Sequence, residues 1–306
     1  MIAALFAVLG LLALAYVATW IASLRAEREG EPAGGPGPLG WPTPGQLLIG
    51  FGTDFLDTLG IGNFATTTSL FRFSRMVPDE LIPGTLNAGH TLPVMAEAFI
   101  YIAIIEVDVT TLVLMIAAAV AGAWFGAGIV ARLPRRRIQI GMGIGLLAAA
   151  GLMLMTQLEL FPGGGNTLDL RGIGLVVGLS GSLVLGALMT LGIGFYAPCM
   201  ILVALLGMNP KAAFPIMMGA CAFLMPVASM RFVRRKRYSL RPALGLTLGG
   251  LPAVLLAAYI VKSLDLDTVR WLVIVVVIYT AIALLHSATI GRRGAVVGKA
   301  APAVLQ

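Results

Sequence analysis

Apolar residues along this chain come in long blocks separated by short polar or glycine-rich intervals, and several blocks reach the roughly 18 to 20 residues that cross a bilayer. The first, 2–24, is too long for the core of a signal peptide and has no basic residue ahead of it, so it reads as a retained helix with an outside N-terminus. A Gly- and Pro-rich loop, 29–45, separates it from the rest. Two other blocks, 46–72 and 173–208, are interrupted half-way by Gly-x-Gly, which predicts broken helices rather than plain spans.

The broken blocks are copies of one another. Thr58-Leu59-Gly60-Ile61-Gly62 recurs as Thr190-Leu191-Gly192-Ile193-Gly194, an offset of 190 − 58 = 132. The same offset pairs Ala65 with Ala197, Pro78 with Pro210, Pro83 with Pro215, Leu92 with Leu224 and Ala96 with Ala228. Residues 58–97 give 13 identities in 40 pairs, against about 4 expected from so biased a composition, which marks a duplication. Further on the offset becomes 131, pairing Ile129-Val130 with Ile260-Val261 and Leu133 with Leu264. Five segments follow: an N-terminal transmembrane helix and loop, 1–45; repeat one, 46–160; an extracytoplasmic linker, 161–172; repeat two, 173–290; and a cytoplasmic basic tail, 291–306.

Charge sets the orientation of the halves. Arg132, Arg135, Arg136 and Arg137 follow one span, Arg231, Arg234, Arg235, Lys236, Arg237 and Arg241 another, and Arg292 and Arg293 the last; all should be cytoplasmic. Between the first two clusters lie spans at about 138–158 and about 211–233 and the broken block 173–208. An even number of crossings is required, so the broken block must enter and return. Three spans separate one broken block from the next, so the two enter from opposite faces. The expected fold is therefore all-α integral membrane, with about seven transmembrane helices plus two re-entrant hairpins in two inverted-topology repeats, an arrangement of many secondary transporters. Glu106 and Asp108, and Asp265 and Asp267, then fall in short outer loops. Half-helices of about 12 residues reach about 18 Å, enough for half a bilayer.

Composition agrees with that picture. Of 306 residues, 58% are hydrophobic and 11% charged, with a mean hydropathy of +0.95, which excludes an ordinary soluble domain. The net charge of +7 sits in the short loops between spans, where it serves topology and anionic lipid rather than nucleic acid. Cys199 and Cys221 offer neither a disulfide framework nor a metal spacing, and read as small buried residues.

A Gly-x-Gly turn at membrane depth frees backbone N–H groups, and the positive end of the returning half-helix makes them an anion site. The first tip continues Asn63-Phe64-Ala65-Thr66-Thr67-Thr68 and the second Phe195-Tyr196-Ala197-Pro198-Cys199, with Pro198 suited to a first helical turn. Gly60, Gly62, Asn63, Thr66, Thr67, Gly192, Gly194, Tyr196 and Cys199 are thus candidate ligands of a small oxyanion. Close helix packing explains the glycines equally well. Ionisable residues inside apolar runs are few: Asp54, Asp57, His90 and Glu97. Asn87, His90, Val94 and Glu97 share one helical face, and Thr91 adjoins it. His90 can hold an anion or pass a proton; Asp54, Asp57, His90 and Glu97 are candidates for proton or cation coupling, with helix capping the plainer reading of the aspartates. Repeat two has Gly186, Met189, Ala222 and Ser229 at the matching positions, so any coupling is carried by the first half.

From about 46 to 288 the chain resembles the TauE/SafE sulfite and sulfonate exporters, through the paired glycine motifs, the prolines at 78 and 83 or 210 and 215, and a basic loop in each half. It departs from the family at Asn63 and Phe195-Tyr196, and in Gly89-His90-Thr91-Leu92 where a Gly-Thr-Ser-Leu-like run is common. The resemblance implies a secondary carrier of a small sulfur-containing anion such as sulfite or sulfoacetate, an exporter in a bacterial cytoplasmic membrane. It implies no cofactor and no catalytic residue, and is compatible with a homodimer using helix 2–24 as its contact. No metal ligand set and no phosphate-binding loop of an ATP-driven pump occurs. A small-anion channel is the alternative. An intramembrane serine protease is suggested by Gly178-Leu179-Ser180-Gly181 with His286, but the topology puts Ser180 and His286 in opposite halves of the membrane.

Overall fold

The structure, a computed structural model, describes residues 2–29, 41–59, 61–160, 164–260 and most of 271–289. Gly60, Asp265, Asp267, Arg292 and Arg293, and much of the 29–45 loop and the 291–306 tail, lie outside the described residues. Among the described residues ten α-helices are delimited at both ends: α1 (Ile2–Glu29), α2 (Pro44–Thr58), α3 (Asn63–Ser74), α4 (Ile82–Ile104), α5 (Val109–Val130), α6 (Arg135–Gln157), α7 (Gly172–Met189), α8 (Tyr196–Leu205), α9 (Ala213–Arg234) and α10 (Leu240–Ile260). Among the described residues there is no strand, only an isolated bridge between Thr167 and Met208. Six helices, α1, α5, α6, α7, α9 and α10, are long and apolar enough to cross a membrane, the pattern of a multi-pass membrane protein. α4 is as long but carries Thr85, Asn87, His90, Thr91 and Glu97, all buried. α7 has 18 residues, enough to span by length, where the sequence suggested half of a hairpin. α1 runs five residues past the expected Leu24.

Local chemistry fixes the helix ends. Thr43 and Gln46 form a capping box around Pro44 at the start of α2. Asp108 caps α5, its carboxylate accepting from Thr111 N at 2.7 Å. Backbone hydrogen bonding holds the Asp108 carboxyl below its ordinary range. Pro93 inside α4 strips Gly89 of its helical donor, and the Thr247 hydroxyl of α10 supplies one at 2.6 Å.

Packing follows the duplication. α2 lies along α10 and α7 along α5, α4 packs on α9, and α4–α10 is matched by α9–α5. Exchanging the repeats maps each of these pairs onto another, or onto itself. Small residues make the approach possible: a Cβ at Gly50 would lie 2.6 Å from Leu246 Cα, and one at Gly122 or Gly186 would collide with backbone of α7 or α5. α9 is the most buried span and forms the centre. The outer ends of each broken pair meet. A Cβ at Gly45, entering α2, would lie 3.3 Å from the Met76 methyl that follows α3. After α8, Met208 O accepts from Gly165 N and Asn209 N donates to Thr167 O, just ahead of α7. The first junction shares a cavity with Lys236 and Arg241, whereas the second adjoins the α4–α5 turn, where Asp108 N donates to Leu168 O.

Candidate functional site

The break between α2 and α3 contains Gly62 at φ 89°, and that between α7 and α8 contains Gly192 at φ 97°, backbone that only glycine adopts without strain. A Cβ on Gly62 or on Gly194 would meet no atom within 4 Å, so both breaks border open space. Around the first break the acids converge. His90 Nδ1 lies 2.7 Å from Asp54 Oδ1, and His90 Nε2 lies 2.9 Å from the Thr67 hydroxyl. Asn63 Nδ2 donates to Asp54 Oδ1 at 2.9 Å, and Asn63 N donates to Asp57 Oδ1 at 3.0 Å. Asp57 thereby occupies the N-terminal amide of α3 with the protein's own carboxylate. Thr58 donates to Glu97 Oε1 at 2.8 Å.

Repeat two contributes one polar group to this network. The Tyr196 hydroxyl, at the start of α8, lies 3.3 Å from Asp57 Oδ2, 3.2 Å from Glu97 Oε2 and 2.6 Å from Met218 Sδ. It ties both helix breaks and α4 into one cluster. Asp54, Asp57, Thr58, Asn63, Thr67, His90 and Glu97 are all buried to 1% exposure or less. The second oxygen of Asp54 has no hydrogen-bond partner and faces Gly250 of α10. Among the described residues no lysine or arginine hydrogen-bonds to Asp54, Asp57 or Glu97.

No family model, curated protein or solved structure matches this chain.

The remaining candidates lie around the cluster. Thr66 donates back to the carbonyls of Gly62 and Asn63. Asn87 donates to Pro83 O at 2.8 Å and leaves its own oxygen buried without a partner. Thr91 reaches across to Ser229 of α9 at 3.0 Å. Cys199 is buried within α8, and a Cβ on Gly192 would lie 3.4 Å from the Met142 methyl. The donors expected for an anion at the first tip, Asn63 and Thr66, are therefore engaged with the chain itself. Gly194, just ahead of α8, borders open space with no carboxylate of its own repeat beside it among the described residues. Ser180 is exposed on α7.

Three participants were not singled out from sequence. Thr58 opens the repeated motif, and its hydroxyl gives that position a second use. Tyr101 lies one turn beyond Glu97 and donates to Thr58 O at 2.6 Å. Met218 carried no signal, since a methionine in an apolar span reads as core.

Proposed function

We propose that this chain is a secondary transporter that moves a small anion together with a proton, the proton being held by the His90–Asp54–Asp57–Glu97 cluster. The observation that carries the reading is the Tyr196 hydroxyl between two buried carboxylates. One phenolic proton serves only one acceptor at a time, so the contact to the other carboxyl is a hydrogen bond only if that acid itself carries a proton. Three acids against one imidazole, with no lysine or arginine hydrogen-bonded to them among the described residues, also need compensating positive charge, because burying unpaired carboxylates is costly. Proton uptake supplies it. His90 completes a path: with Nδ1 on Asp54, its Nε2 accepts from Thr67 when neutral and donates when charged.

Coupling follows from electrostatics. An ionised cluster repels an anion at the neighbouring Gly194 edge, and a protonated one does not, so the anion enters with the proton. Residues 46–72 and 173–208 act as re-entrant hairpins from opposite faces; the meeting of their outer ends at opposite ends of α4 and the exchange-symmetric packing support this. Complete burial of the cluster supports a carrier with an occluded state over an open channel. The sequence resemblance supports sulfite, sulfoacetate or a related sulfonate as the substrate and the bacterial inner membrane as the location. For a monovalent anion with one proton the membrane potential does no net work. Export then proceeds wherever the outward anion gradient exceeds the inward proton gradient.

The test is uptake of labelled sulfite and sulfoacetate into proteoliposomes under an imposed pH gradient, for the wild type and Gly194→Leu. Saturable, gradient-driven uptake that the substitution abolishes supports the reading. Uptake indifferent to the gradient refutes proton coupling, and no uptake of either compound refutes the substrate class.

A further inference from the structure

On the face where α5 gives way to α6 and α9 to α10, a cavity of about 740 Å³ is lined by Arg132, Arg135, Arg235 and Arg237, with Glu80 the single acid on its wall. Arg135 is paired with Glu80 at 3.6 Å and with Asp79 at 3.3 Å, while Arg132, Arg235 and Arg237 have no carboxylate partner among the described residues, which leaves the cavity positive. Two of them are already anchored: Arg235 donates to Gly128 O at 2.9 Å and Arg237 to Leu133 O at 3.0 Å. Their positions are thereby fixed while their charge is not neutralised by those carbonyls. The Nε of Arg237 is buried with no hydrogen-bond partner. Positive-inside topology accounts for basic residues in this loop, but not for four of them lining one cavity beside a buried, unserved donor.

This cavity continues into the membrane. Arg235 also lines a second space of about 460 Å³, bounded by Trp124, Val227, Met230, Arg231 and Arg234. Arg231 stacks on the Trp124 ring, its guanidinium carbon 3.7 Å from the ring centre. Trp124 and Val227 are in turn shared with a third space of about 750 Å³, an almost wholly apolar groove between α1, α5 and α9 that reaches Leu5, Val113 and Phe223. From Trp124 to Val113 is eleven residues of α5, or about 16 Å of depth. Positive charge at the membrane surface, an amphipathic tryptophan beneath it and an apolar channel below match one molecule, charged at one end and oily at the other.

We propose that this surface is a binding site for one anionic phospholipid, its phosphate among Arg132, Arg135, Arg235 and Arg237 and an acyl chain in the α1–α5–α9 groove. The site is independent of the carboxylate cluster. It would tether α1, which otherwise reaches the bundle mainly through α9 and α4.

The experiment measures lipid retained by the full-length protein purified in neutral detergent, after incubation with phosphatidylglycerol or phosphatidylcholine of identical chains. The wild type should retain phosphatidylglycerol at least about tenfold over phosphatidylcholine. Arg132→Gln with Arg235→Gln should erase that preference, and Ala121→Trp, which fills the groove, should lower retention of phosphatidylglycerol. Equal retention of the two lipids by the wild type would overturn the proposal. So would displacement of the lipid by equimolar glycerol phosphate, which would make the site one for a soluble phosphate. The wild-type comparison and Ala121→Trp decide the matter even if the double arginine variant does not fold.

Discussion

At the first helix break, side chains from α2, α3 and α4 join through hydrogen bonds: Asp54 with His90 and Asn63, Asp57 with the first amide of α3, Thr58 with Glu97. At the second, the equivalent positions hold Gly186, Met189, Thr190, Phe195, Ala222 and Ser229. Gly186 is pressed against Ala119, the Cys221 thiol meets Met189 Sδ at 3.6 Å, and the Thr190 hydroxyl turns back to Ala187 O. The backbone plan was duplicated and the chemistry was not. A duplicated broken helix needs only a glycine at positive φ and a groove of small residues, whereas a buried acid needs partners from several elements at once. One half could keep the acids while the other became an apolar, sulfur-lined wall that contributes a single hydroxyl, Tyr196.

The largest expected effect breaks the comparison at its centre. His90→Leu leaves Asp54 without its imidazole and should cost about 3–5 kcal/mol of stability in detergent unfolding, as for a broken buried pair; Ala222→Leu at the matched position should cost less. Next comes coupling. Asp57→Asn keeps shape and removes the ionisable group, and should lower proton-coupled flux about 100-fold, equal to about 2.8 kcal/mol at the usual 1.4 kcal/mol per decade. Met189→Leu should leave flux within about twofold. If both fall equally, the division between the halves is wrong.

Smaller changes sharpen the backbone side. Gly192→Ala and Gly62→Ala should each cost about 1–2 kcal/mol because both residues sit at positive φ. Gly194→Ala, with open space around it, should cost clearly less. At the start of α5, Asp108→Ala should cost about 1 kcal/mol. The folded Asp108 carboxyl titrates below its unfolded value of about 3.9. Its contribution is therefore complete above that value and is lost as pH falls through the lowered folded one. Asp108→Asn should keep the cap and flatten this acid-side dependence, read as melting temperature against pH.

Much of this was legible in the sequence. The Thr58–Gly62 motif and its copy locate both breaks, and Asp54, Asp57, His90 and Glu97 stand out as ionisable residues in apolar runs. Spacing could not reveal that Tyr196 bridges Asp57 and Glu97 across 139 and 99 residues, because the contact exists only when the repeats pack on each other. Nor could it reveal that Asn63 spends its donors on the two aspartates. An asparagine beside a glycine turn suggests a ligand for an anion until the neighbouring carboxylates are seen to have arrived first. The length of α7 went unread for a related reason: the glycine motif marks where a helix stops, not whether the piece before it spans.

The most direct measurement is the pH inside proteoliposomes when sulfite or sulfoacetate is added outside, for the wild type, Asp57→Asn and Met189→Leu. The wild type and Met189→Leu should acidify the lumen in step with anion uptake, and Asp57→Asn should not. Uptake with no proton movement in the wild type, or proton movement that survives Asp57→Asn undiminished, would contradict the proton site at the first break.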